Sequence, residues 1–297
     1  MKKKVMKEST AWQIGAHTVM IIGSLLAILP FILLMIASFT DNQTALVNGY
    51  SFTPEKWSLE AYQYIASEWA TIGRAYLMTI LVTVIGTALS LVITSTFAFA
   101  VSNDKLPGHK ILMFLCIFTM LFNGGLVASY YVYSNIFHIK NTIWALIVPT
   151  FLMSPFNVVL VKNYFSNSIS PSILEAARMD GAGVFAVFTK IVMPLSVPIM
   201  ATVGLMTAIG YWNDWTNAQY YISDSRMLSV QALLNRMVQD IQALLANSSA
   251  NSGSLMQTPQ VSIRMAIAFV AMIPILILYP FLQKYFADGI MLGAVKG

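Results

Sequence analysis

Glu175-Ala176-Ala177-Arg178-Met179-Asp180-Gly181, followed by Ile191-Val192-Met193-Pro194, is the stretch whose reading decides the fold. It is a polar, helix-forming island between long apolar segments. Ser170 suits a helix cap with Pro171 at the first helical position. Ser172 and Glu175 also have the S-x-x-E spacing of a capping box, so two starts about one turn apart are signalled. Ala176 and Ala177 favour the helix, and Gly181 supplies the positive φ that ends it. A second short helix is expected from about residue 184 to 192, where Pro194 breaks it. The spacing predicts a compact helix-turn-helix knuckle, shaped to be gripped by another protein.

What surrounds the knuckle is apolar. The chain has 297 residues, 57% of them hydrophobic and only 10% charged, with a mean hydropathy of +0.70. A soluble domain carries about 25% charged residues. The apolar residues fall in blocks long enough to cross a bilayer, which takes about 20 residues each. Charge-free stretches at residues 18–40, 75–101, 111–137, 141–161, 191–213 and 265–283 predict six spans, the fifth reaching about 191–215, and an all-α membrane protein. The basic start, Lys2, Lys3, Lys4 and Lys7, precedes an apolar run longer than a signal-peptide core, without a clean cleavage site after it. That run is expected to be the first span.

Orientation follows from the basic residues. With the N-terminus inside, Lys2, Lys3, Lys4, Lys7, Lys105, Lys110, Lys162, Arg178, Lys190, Lys284 and Lys296 fall in the cytoplasm. They outnumber Lys56, Arg74, Lys140, Arg226, Arg236 and Arg264 on the other side. Both termini and the loop 162–190 are therefore expected to be cytoplasmic, and the long loop 218–264 outside. In that loop Val230, Leu233, Leu234, Met237, Ile241, Leu244 and Leu245 recur at helical spacing, predicting an amphipathic helix. Residues 246–258 are rich in Ser, Asn and Gly and contain no core-forming pattern. The +5 net charge is scattered between spans, so topology explains it better than nucleic-acid binding.

The stretch around Glu175 resembles the EAA motif of ABC-importer permeases, E-A-A-x3-G-x9-I-x-L-P. Glu175, Ala176, Ala177, Gly181, Ile191 and Pro194 match it, and Met193 stands in place of the usual Leu. The resemblance implies a coupling helix, including Arg178 and Asp180, that docks on a separate ATP-hydrolysing subunit. The C-terminal run, with Gly289, Gly293, Val295, Lys296 and Gly297, is similar to that of the smaller maltose-type permease subunit. In that family the tail reaches between two ATPase subunits. The same resemblance implies a second permease subunit, two ATPase subunits holding ATP and Mg, and an extracytoplasmic solute-binding protein. It implies a bacterial plasma membrane and a sugar or oligosaccharide as cargo. Residues 122–133 and 211–218 look closest to permeases for complex oligosaccharides, polygalacturonate- and alginate-type systems included.

Other chemistry is missing from the sequence. There is no G-x-x-x-x-G-K-[ST] to hold ATP phosphates and no H-E-x-x-H. His17, His109 and His138 lie near different span ends, and Cys116 is the single cysteine, so neither a metal cluster nor an internal disulfide is expected. The chain is expected to be non-catalytic and to carry no cofactor. Ionisable residues are nearly absent from the spans, which weighs against an ion-coupled carrier or standalone channel. Two stretches suit a solute path. Trp212, Asn213, Asp214 and Trp215 combine aromatic faces with an amide and a carboxylate, as sugar rings require. Asn123 and Gly124 break the third span and open backbone groups. An interfacial aromatic belt and a packing glycine pair fit these residues equally well. A non-sugar solute stays open as cargo.

Overall fold

The computed structural model describes residues 10–247 and 260–294. In chain order its helices are α1 (Thr10–Ser38), α2 (Asn42–Asn48), α3 (Glu60–Ser67), α4 (Trp69–Ser102), α5 (His109–Leu121) and α6 (Gly125–Tyr131). There follow α7 (Trp144–Ile147), α8 (Pro155–Ser168), α9 (Pro171–Met179), α10 (Val184–Val187), α11 (Met193–Leu195) and α12 (Val197–Trp212). The last three are α13 (Thr216–Tyr221), α14 (Val230–Asn247) and α15 (Gln260–Ala294). Among the described residues the only β pairing is an isolated bridge between Thr40 and Trp57.

The chain divides into two compact units, Met1–Glu68 with Met237–Met272, and Trp69–Arg236 with Ile273–Gly297. In the first, α1 presents an apolar surface along most of its length and is tied down only at its C-terminal end. There Ser38 Oγ lies 2.7 Å from the Tyr62 hydroxyl, and Phe39 stacks on Tyr62 with centroids 4.8 Å apart. Lys56 Nζ donates to Asp41 at 3.1 Å. The start of α15 joins the same knot, because Ser262 Oγ donates to Thr40 O at 2.7 Å and Val261 N–H to Asn42 Oδ1 at 3.2 Å.

The second unit is built on α4, whose buried residues Thr79, Val82, Gly86, Ser90, Thr94 and Ala98 form one stripe at three- and four-residue spacing. Small residues there let α12 and α8 approach closely, the packing available where lipid removes the hydrophobic drive between helices. Gly86 shows how close. A Cβ at that position would sit 2.5 Å from Tyr211 Cζ, and one at Gly210 would sit 2.9 Å from Phe151 Cε1.

Among the described residues, length and composition make two helices, Trp12–Ser38 and Trp69–Ser102, long and apolar enough to cross a membrane as single rods. Two further crossings of the expected set are broken. His109–Leu121 and Gly125–Ile136 meet at 119°, and Val184–Leu195 meets Val197–Trp212 at 80°. The first break falls at Phe122–Gly124, where Gly125 takes φ +80°. The second falls at Ser196, two residues later than a break at Pro194 would place it. Phe188–Val192 forms a π-helical turn ahead of Pro194, and Met193 N–H bonds back to Phe188 O, so the proline is absorbed without ending the helix.

The expected span 141–161 is the least regular. Pro149 and the Ser154-Pro155 step stop helix formation between α7 and α8, with Ser154 extended ahead of the proline. Thr150 takes φ +70°. Carbonyls here are taken by side chains, Pro149 O also accepting the Phe151 N–H at 2.8 Å. Tyr211 Oη donates to Ile147 O at 2.8 Å, Asn217 Nδ2 to Pro149 O at 3.3 Å, and Ser90 Oγ to Phe151 O at 3.1 Å. Towards the C-terminus, α15 carries an apolar stretch at Val261–Ile277.

Gly86→Ala should therefore displace the Tyr211 ring and weaken its hold on Ile147 O. Overpacking of this kind costs about 1–3 kcal/mol. Thermal unfolding in detergent should show the loss, and Gly86→Ala combined with Tyr211→Phe should be less damaging than the two single losses added. Strict additivity would separate the glycine from the carbonyl clamp.

Candidate functional site

The knuckle is built as the local chemistry dictates. Of the two starts signalled, Ser170-Pro171 is the one used, with Pro171 at the first turn of α9. Ser172 is already inside the helix, and its Oγ lies 2.8 Å from Ser170 Oγ. The helix ends in a Schellman turn. Gly181 N–H donates to Arg178 O at 3.0 Å and Ala182 N–H to Ala177 O at 2.9 Å. Gly181 takes φ +80°, with open space around the position a Cβ would occupy. Only backbone conformation demands glycine there.

The knuckle has two faces. Inward, Ala177, Val187 and Val192 are buried in one cluster with Val158, Val161 and Phe165 of α8, Ala98 of α4 and Val203 of α12. Ile191, which completes the EAA pattern, packs against that cluster. Outward, Glu175, Ala176, Arg178 and Asp180 are exposed, and so is Pro194. Beside them stand three large apolar side chains, Met179, Val184 and Phe185, exposed by 87%, 74% and 78%. These are an apolar patch on a polar turn. The sequence did carry that signal, as apolar residues interrupting an otherwise polar loop. A cavity of about 270 Å³ opens beside α9, with Phe99 and Phe165 in its wall and Lys105, Glu175 and Arg178 at its polar side.

Of the tail residues, Gly293 lies in the last turn of α15. Val295, Lys296 and Gly297 lie outside the described residues.

The candidate solute-path residues are in two places. Asn123 and Gly124 form the bend between α5 and α6, exposed, with Asn123 Oδ1 accepting the Gly125 N–H at 2.8 Å. Trp212 is buried in the last turn of α12, while Trp215 is 41% exposed. Asp214 is drawn into capping: its Oδ1 accepts the N–H groups of Thr216 at 3.0 Å and Asn217 at 3.2 Å at the start of α13. Asn213 donates to Ile209 O at 3.0 Å and accepts from Gln231 at 3.4 Å. Both polar groups that suited a sugar hydroxyl have local partners. Farther along, Arg226 donates to both Asp224 oxygens and holds that carboxyl below the usual carboxylate range.

Apolar helices broken mid-course, with a polar knuckle rooted in their shared core, are the architecture of a membrane subunit that moves solute under the control of another protein. Residues 89–291 match the model of the binding-protein-dependent transport system inner membrane components, and the chain belongs to that family. It is 39% identical to the polygalacturonan/rhamnogalacturonan transport system permease protein YtcP of Bacillus subtilis, over 92% of this chain and 94% of that one. It is 29% identical to the melibiose/raffinose/stachyose import permease protein MelC of the same organism, over 78% and 79% of the two chains. Among solved structures it is similar to a bacterial ABC transporter involved in the import of the acidic polysaccharide alginate. That match has a TM-score of 0.78 and 28% identity, and covers 93% of this chain and 96% of that one. The chain is thus a non-catalytic permease subunit of an ABC importer, all-α in fold. Such a subunit works with a partner permease, an ATPase and a solute-binding protein, and binds no cofactor itself.

Gly181→Ala should loosen the knuckle through backbone strain alone, at about 1–2 kcal/mol. Gly183→Ala is the control, since Gly183 has φ −67° and open space around it. Hydrogen–deuterium exchange should speed up at the Gly181 and Ala182 amides in the first variant and not in the second.

Proposed function

We propose that this chain forms half of the translocation path of an ATP-driven importer of complex oligosaccharides. In this reading α9 is the coupling helix, and two ATPase subunits, which hold ATP and Mg, grip the two permease subunits. The observation that carries it is the two-faced knuckle: Ala177 and Val187 are buried in the core that joins α4, α8 and α12, while Met179, Val184 and Phe185 are bare to solvent. A surface anchored this way passes a push from a docked partner straight to the spans, as rigid packed elements do. The EAA match supports the roles of Glu175, Ala176, Ala177, Arg178, Asp180, Gly181, Ile191 and Pro194. The tail residues Gly293, Val295, Lys296 and Gly297 are assigned to the ATPase on the same resemblance. The names of the relatives support the cargo class.

Both termini and the 162–190 loop are placed in the cytoplasm, and the 218–264 loop outside, facing the solute-binding protein. The lysine and arginine asymmetry supports that orientation. Asn123, Gly124, Trp212, Asn213, Asp214 and Trp215 are placed along the path, with Asn123 and Trp215 presenting the accessible groups.

Phe185→Asp should leave membrane insertion and the partner permease in place and reduce ATPase co-purification about tenfold or more, the loss of one interfacial anchor. Uptake of labelled oligogalacturonide should fall with it. Retention of bound ATPase and normal uptake by this variant would remove the α9–α10 knuckle as the coupling element.

Orientation has its own test. With Cys116→Ser as background, a cysteine at Ser252 should react with a membrane-impermeant thiol reagent on intact cells, and one at Ser168 should not. The reverse pattern would invert the topology.

A further inference from the structure

The turn joining α6 to α7 holds two non-glycine residues in the left-handed region, His138 at φ 52° and Asn141 at φ 56°. Such residues persist only where their surroundings over-determine them, and they gather at working sites. Here the surroundings are explicit. Ile139 N–H donates to Tyr133 O at 3.1 Å, Thr142 N–H to Ile139 O at 3.1 Å, and Asn141 N–H to Tyr221 O at 3.0 Å. Asn141 Oδ1 then accepts the N–H groups of Ser223 at 2.6 Å and Asp224 at 3.3 Å.

What this strained turn holds in place is Lys140. Its Nζ donates to the Tyr130 hydroxyl at 2.9 Å and lies 5.5 Å from the ring centroid. Tyr130 is in turn stacked on Tyr221 at 5.8 Å and 12°, and Tyr133 meets Tyr221 edge-on at 5.9 Å. The nearby carboxylate of the pinned segment, Asp224, is committed to Arg226 by side-chain bonds of 2.9 and 3.1 Å. Lys140 belongs to none of the ion pairs among the described residues, and it is exposed. One of its three donors is used on Tyr130, leaving two for an incoming acceptor.

We propose that Lys140, bonded to the Tyr130 hydroxyl, is an anion-accepting contact that discriminates a carboxylated sugar ring from a neutral one. The assignment rests on the oligosaccharide-import reading above and on its outward placement of the 138–142 turn. A uronate carboxylate takes a charge-assisted hydrogen bond from the ammonium, while the C–H face of the ring lies against the partly exposed tyrosines. The other anion available at such a place is a lipid phosphate, which interfacial lysines reach by snorkelling from regular helices. A lipid anchor of that kind has no use for two strained residues and five hydrogen bonds that fix the turn carrying one lysine beside one tyrosine hydroxyl. The geometry favours a ligand that must be met at a defined position.

The test uses the complete importer in proteoliposomes, at saturating binding protein, with trigalacturonate and its neutral methyl ester as probes. Lys140→Gln should lower the ratio of acidic to neutral uptake about tenfold, the worth of one charge-assisted bond. Lys140→Arg should keep the ratio close to that of the unsubstituted protein. An unchanged ratio in Lys140→Gln, with the unsubstituted protein transporting trigalacturonate, overturns the Lys140 assignment alone. Equal loss on both probes overturns it in favour of a structural role. A loss that appears only in vesicles containing phosphatidylglycerol, and not in pure phosphatidylcholine, overturns it in favour of a lipid anchor. Failure of the unsubstituted importer to take up either probe overturns the import reading on which it rests.

Discussion

Between α7 and α8 the chain passes through residues 149–153 outside any helix, inside a segment read as a membrane crossing. In hydrocarbon each unsatisfied backbone group costs several kcal/mol, so such a stretch exists only where protein supplies partners. Three side chains do so: Tyr211 from α12, Asn217 from α13 and Ser90 from α4. Much of the second unit can be read as what those three bonds require. Tyr211 reaches Ile147 O only by lying across α4, and that leaves room at position 86 for no side chain at all. Phe151 then packs on Tyr211, with ring centroids 5.2 Å apart, and Gly210 makes space for it.

The same close packing makes the knuckle useful. Helices that meet through small residues and a few specific hydrogen bonds have few ways to slide, so displacement of one is felt by its neighbours. Ala177 and Val187 share a buried cluster with residues of α4, α8 and α12. A docked protein that moves α9 must move that cluster. By contrast the Schellman turn at Gly181 is set by φ alone, with no neighbour crowding it. The knuckle's shape is therefore local, while its anchoring in the buried cluster is tertiary.

Breaks in the apolar helices are confined to positions with an identifiable cause. Gly124-Gly125 bends the third crossing, and Pro194 is accommodated by a π-helical turn before the chain turns at Ser196. Where the backbone leaves helical geometry, a side chain or a glycine conformation accounts for it. The 138–142 turn follows the same rule from the other direction, since its left-handed residues are held by bonds to the 221–224 segment.

By itself the sequence determined what depends on neighbours three or four residues apart. The apolar blocks, the Ser170-Pro171 start, the Gly181 stop and the EAA spacing are all of that kind, because helix propensity, capping and left-handed φ are local energies. Asn123-Gly124-Gly125 also carried the signal for a helix break, and the structure bends the helices there. The sequence signalled two starts for α9, and only the structure chose Pro171 over a start one turn later. Asn213 and Asp214 were candidates for a solute path on residue type alone, and the structure adds tertiary and capping bonds to Gln231, Thr216 and Asn217 that no local pattern announced. The irregular course between α7 and α8, and Tyr211 as its clamp, were beyond a sequence reading. The bonds that decide them join residues 61 to 68 positions apart, and no local pattern encodes which side chain will arrive beside which carbonyl.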